Sequence, residues 1–149
     1  MKLIKNNLYA ERQVFSFLIL FLSFLGFLDA TYLTILHYKN AFPPCTITSG
    51  CETVLTSKYA TIYGIPISLI GSLFYFLLIS LSILILTDFK KIFPKALIII
   101  VLSGTLISLM LIYIQFFILR TLCQYCLFSE GVNFLLLGAA LLFLKKKEN

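Results

Sequence analysis

Charge is scarce in this chain. Of 149 residues only 12% are charged, six of them acidic, while 60% are hydrophobic and the mean hydropathy is +1.03. A soluble core of this size could not hide so much apolar surface, so a lipid bilayer must be part of the solvent. Histidine occurs once, as His37, and cysteine four times. The net charge of +6 is not gathered on one face, which argues against nucleic acid as a partner. There is no internal repeat and no low-complexity segment. No small-x-small cleavage site follows the first apolar run, which is also too long for the core of a cleavable signal. By length the chain is one domain, residues 1–149.

Four apolar runs fill most of it: Val14–Leu36, Ile65–Leu86, Ala96–Leu119 and Leu122–Leu144. Asp29 is the one charge in the first and Glu130 the one in the last. At about 1.5 Å per residue each run is about 33–36 Å long, enough to cross a hydrocarbon core of about 30 Å. Helices satisfy their own backbone in lipid, so the expected fold is an all-α membrane protein with four transmembrane helices. The links at Thr87–Lys95 and Arg120–Thr121 are short, which predicts an antiparallel up-down bundle.

Nine of the twelve basic residues fall on one side of such a bundle: Lys2, Lys5, Arg12, Lys90, Lys91, Lys95 and Lys145–Lys147. Lys39, Lys58 and Arg120 fall on the other. Excess Lys and Arg mark the cytoplasmic side, so both termini are expected there, and all four cysteines outside. That is the compartment in which disulfides form and persist. The absence of tryptophan and the Lys/Ile/Phe-rich usage suit an AT-rich bacterial genome, hence a bacterial inner membrane. The terminal Lys145-Lys146-Lys147 reads as a charge anchor rather than a retrieval signal.

The loop of about 25 residues from Lys39 to Gly64 carries the first cysteine couple. Phe42-Pro43-Pro44-Cys45 is stiff and extended. Ser49-Gly50-Cys51-Glu52 matches a capping box, with Ser49 as N-cap and Glu52 at the third position, and predicts a short amphipathic helix from about Gly50 to Tyr59. Thr121-Leu122-Cys123-Gln124 matches a second box, with Gln124 in the Glu role. Cys51 and Cys123 would each then be the second residue of a helix, where free N–H groups favour thiolate.

The other couple is Cys123-Gln124-Tyr125-Cys126. Cys126 lies one turn beyond Cys123 on the same face, near enough to bridge to it and closer to the lipid. Two dithiols in one small membrane protein suggest a relay in which electrons enter at one pair and leave from the other. A purely structural pair of disulfides is the competing reading, in which the protein is a non-catalytic membrane component. A four-cysteine zinc site is disfavoured by the wide Cys45–Cys51 spacing and the single histidine, so no metal is expected.

Cys45, Cys51 and Ser57, then Gly64-Ile65-Pro66-Ile67-Ser68, then the CxxC opening the last helix, form a pattern that resembles the vitamin K epoxide reductase family from about Val14 to Leu144. The resemblance implies a membrane thiol:quinone oxidoreductase that makes disulfides in extracytoplasmic proteins. Cys45 would exchange with a thioredoxin-fold partner, Cys51 would pass electrons to Cys123 through a mixed disulfide, and Cys126 would attack the quinone, a menaquinone or ubiquinone. Ser57 matches the family's Ser/Thr at the quinone end of the loop helix. Many bacterial members carry a fused thioredoxin-like domain, which this chain lacks, so a separate partner is expected. Animal enzymes that reduce vitamin K carry a tyrosine four positions after the CxxC, where this chain has Glu130. That departure favours a respiratory quinone over vitamin K quinone or epoxide, which stays the alternative substrate.

Quinone reduction consumes two protons, and Asp29 or Glu130 could supply them, since an acid inside a span suggests function. Asp29 could equally serve structure in the bundle interior, by accepting bonds from helix ends or from Thr31. His37 reads as a solvated interfacial side chain. Phe74, Tyr75, Tyr113, Phe116 and Phe117 are the aromatic candidates to line a quinone site.

Overall fold

The computed structural model describes the backbone of residues 2–48, 50–87 and 92–148 and the side chains of 13–48, 50–87 and 95–142. The elements in order are α1 (Lys2–Tyr38), α2 (Cys51–Thr56), β1 (Thr61–Ile62), β2 (Ile65–Pro66), α3 (Ile67–Thr87), α4 (Ile92–Tyr113), a π-helical turn (Ile114–Leu119) that continues α4, and α5 (Gln124–Glu148). Among the described residues four helical stretches are long and apolar enough to cross a membrane: Gln13–Tyr38, Ile67–Thr87, Lys95–Leu119 and Gln124–Leu142. The expected all-α membrane architecture is therefore present. Helix α1 runs much further toward the N-terminus than the apolar pattern that marks its span. Helix α4 starts before the apolar run, with Pro94 in its first turn, where a missing N–H is no loss.

The four long helices pack in a ring, α1 against α3 and α5, and α4 against α3 and α5. In lipid there is little hydrophobic gain in bringing apolar helices together, so close packing must hold them. Leu78, Val101 and Leu136, one each from α3, α4 and α5, have no exposed surface. Small residues let aromatic rings approach: Gly26 of α1 lies under the Tyr75 ring, and Gly104 of α4 under the Phe74 ring. A side chain at either glycine would collide with the ring. The outward faces are large apolar residues such as Phe17, Leu106 and Leu142, as a lipid-facing surface requires.

The loop helix is shorter than the reading above predicts. It ends at Thr56 because Ser57 turns extended (ψ 156°) and donates its hydroxyl to Val54 O at 2.8 Å. The chain then makes a small feature that alternation did not signal, a hairpin pairing Thr61 with Pro66 and Ile62 with Ile65. Its turn needs positive φ at both central residues, and Tyr63 (51°) and Gly64 (81°) supply it. The hairpin hands the chain directly to α3.

Candidate functional site

Cys45 and Cys51 are joined by a disulfide, with their Cα atoms 6.2 Å apart. Gly50 is the N-cap of α2 and makes no side-chain capping bond, so Cys51 is the first helical residue and not the second. Glu52 accordingly sits at the second position. Ser49, the expected N-cap, lies outside the described residues.

The second capping box does not form. Thr121 Oγ1 is buried without a hydrogen-bond partner, and Gln124 Oε1 accepts the backbone N–H of Ile47 at 3.0 Å. Helix α5 starts at Gln124, and Cys123 itself is the N-cap: its carbonyl accepts from Leu127 at 2.9 Å, and its Sγ accepts the Cys126 backbone N–H at 3.3 Å. The Cys126 thiol also donates to Cys123 Sγ, at 2.7 Å. Cys123 lies just before the spanning segment, and the Cys126 hydrogen bond holds its thiol below the ordinary value, against the opposing effect of burial. The pair is a dithiol here, while the loop pair is oxidised.

Several contacts bring the two couples to one end of the bundle. A side-chain carbon on Gly50 would lie 2.8 Å from both Leu122 O and Thr121 Cβ, so the start of α2 presses directly on the residues preceding the CxxC. The Ile47–Gln124 bond and a longer one from Tyr125 OH to Pro44 O (3.4 Å) fasten the rest of the loop. Cys51 and Cys123 are both buried, at 2% and 0% exposure.

Beside this junction the helices and the loop line a partly open cavity of about 520 Å³. That is the size of a small-molecule site, and the walls are mainly apolar with a few polar groups. Cys126 lines it and Cys123 does not. Ser57, Asp29, Glu130 and His37 also line it, so the structure brings the residues of both the loop and the spans to one space. Of the aromatic candidates, Phe74 and Tyr75 lie on the wall, and the Tyr75 hydroxyl is committed to Ser129 O at 2.7 Å. Tyr113, Phe116 and Phe117 do not. They are 56%, 53% and 69% exposed on the outer face of α4 and the π turn, while a different side chain of that turn faces inward.

That side chain is Gln115, which the sequence reading missed. It is 3% exposed and lines the cavity. Its Oε1 accepts the Cys123 backbone N–H at 3.1 Å, and its Nε2 donates to Glu130 Oε1 at 3.0 Å. An amide inside an otherwise apolar span was the available signal. Glu130 Oε2, Asp29 Oδ2 and Thr31 Oγ1 have no hydrogen-bond partner among the described residues. The expected Asp29–Thr31 bond is thus not made, as residues two apart on a helix do not face each other.

The arrangement holds a dithiol against a membrane-embedded, ligand-sized cavity, with a disulfide loop docked beside it. The profile of the vitamin K epoxide reductase family matches residues 17–141, most of the chain. Its members are membrane oxidoreductases, and the chain belongs to the vitamin K epoxide reductase family.

Proposed function

We propose that this protein oxidises dithiols of extracytoplasmic proteins and passes the electrons to a membrane quinone. The family generally works with a thioredoxin-like partner and a quinone acceptor. The observation that carries the reading is the placement of Cys126 on the cavity, next to a dithiol partner that adjoins the docked Cys45–Cys51 loop.

In this reading a partner dithiol attacks the loop disulfide at Cys45, and the partner leaves as a disulfide. Cys51 thiolate then attacks Cys123 of an oxidised CxxC, releasing Cys126 as a thiol. Cys45 resolves the mixed disulfide by attacking Cys51, which restores the loop disulfide and leaves Cys123 and Cys126 reduced. Cys126 passes an electron pair to the quinone as the Cys123 sulfur closes on it. The two thiol protons end on the two quinone oxygens, and in this reading Glu130 and Asp29, both lining the cavity, carry them. The four cysteines are the catalytic residues of this scheme, Ser57 flanks the quinone, and the positive-inside rule puts the cysteine end outside.

The test is quinone reduction by the purified protein in detergent with a dithiol donor, using wild type and Cys126→Ala. Turnover lost in the variant supports the scheme. Cysteines that stay oxidised, with no turnover on any quinone or quinone epoxide, would point to structural disulfides instead.

A further inference from the structure

The loop pair and the CxxC are fastened to each other in a definite order. Pro44 O accepts from Tyr125 OH at 3.4 Å, the Ile47 N–H donates to Gln124 Oε1 at 3.0 Å, and Gly50 presses on Leu122 and Thr121. As the loop advances from 44 to 50, its partners step back from 125 to 121. Cys45 therefore lies at the half-exposed Tyr125 end, and Cys51, 2% exposed, at the end next to Cys123.

Among the described residues these two hydrogen bonds are the only ones between the loop and the CxxC, and the Gln124 bond is the shorter. It falls midway between Cys45 and Cys51. Thr46 and Ile47 turn their side chains to solvent, Ile47 at 86% exposure, so this stretch is held by its backbone and not by packing. While the Cys45–Cys51 disulfide is closed, it holds the stretch as a small ring. Once that disulfide opens, the ring is lost and the bond to Gln124 remains. A backbone N–H can only donate, so the Gln124 amide must present its oxygen there.

We propose that Gln124, inside the CxxC itself, is a positioning residue for exchange between the two cysteine pairs: its bond to the Ile47 N–H keeps the opened loop docked, with Cys51 in reach of Cys123. The inference rests on the relay reading and leaves its balance unchanged. Cys51 thiolate attacks Cys123, the Cys123–Cys126 bond breaks, and Cys126 leaves with the electron pair and takes a proton.

The experiment measures the effective concentration of Cys51 at Cys123. In full-length protein carrying Cys45→Ser and Cys126→Ser, the Cys51–Cys123 bridge is titrated against ratios of oxidised to reduced glutathione. Gln124→Met, of similar length but without an acceptor oxygen, should lower that effective concentration about threefold to tenfold, the worth of one net hydrogen bond. Gln124→Glu, which keeps an acceptor oxygen at the same reach, should restore most of the loss. In a Cys45→Ser, Cys51→Ser background, Gln124→Met should leave the Cys123–Cys126 titration within about twofold, since the docked loop is not part of that bridge. Ile47→Pro, which removes the donor, puts the same question from the loop side if Gln124→Met does not fold. An unchanged Cys51–Cys123 bridge, a loss that glutamate does not restore, or equal weakening of both bridges would overturn this proposal alone. A Cys51–Cys123 bridge that forms at no glutathione ratio with Gln124 intact overturns the relay reading, and this inference with it.

Discussion

Cys123 Sγ accepts the backbone N–H of Cys126 at 3.3 Å, so the first cysteine of the CxxC is also the N-cap of the last helix. A sulfur in that place is stabilised as thiolate by the N–H groups of the first turn and by the Cys126 thiol that donates to it. The motif's chemistry and the helix boundary are thus one feature.

A pH profile tests this. Donation from Cys126 favours the Cys123 thiolate, so losing the donor raises the pH needed for Cys123 to react. In Cys126→Ala, the Cys51–Cys123 mixed disulfide should form with its midpoint at higher pH than in Cys126→Ser, which keeps an O–H donor. Trapped mixed disulfide measured on non-reducing gels across pH reports it, and coincident midpoints would refute the role of the S–H donor.

Gly50 is where the loop meets the CxxC end. With Leu122 O and Thr121 Cβ both 2.8 Å from an added side-chain carbon, Gly50→Ala must push the loop away. We expect a loss of about 1–3 kcal/mol in stability, the usual cost of overpacking. Exchange between the two cysteine pairs should slow more than quinone reoxidation of the CxxC, which rapid-quench alkylation can resolve.

Tyr75 links α3 to α5 through its bond to Ser129 O at 2.7 Å. Tyr75→Phe should lower stability by about 1 kcal/mol, the net worth of such a bond. Because the hydroxyl is already committed, the quinone KM should change little. Unfolding midpoints in detergent and steady-state kinetics together decide it.

Phe74→Ala opens the cavity wall against Gly104 and should raise the quinone KM, whereas Phe117→Ala on the outer face should leave it unaltered. Equal effects of the two on KM would place the quinone somewhere other than this cavity.

Composition and periodicity alone determined that the chain spans a membrane four times, because runs of this length and hydropathy have no other stable environment. The spacing of the cysteines likewise made two couples visible, and Asp29 and Glu130 stood out as acids in lipid. Helix boundaries were less legible. Both capping-box matches were local patterns, and at Thr121 a tertiary bond won: Gln124 went to Ile47, and the helix began two residues after the expected first helical position. The aromatic candidates divided for a similar reason, since the π turn alters the rotation of every residue after Tyr113 and sends Phe116 and Phe117 outward. Gln115 was one amide in an apolar run, with nothing in its neighbours to say which way it faced. Only the packing of α4 against α5 decided that, because a buried amide must find partners, and the free N–H of Cys123 and the carboxyl of Glu130 lie within its reach.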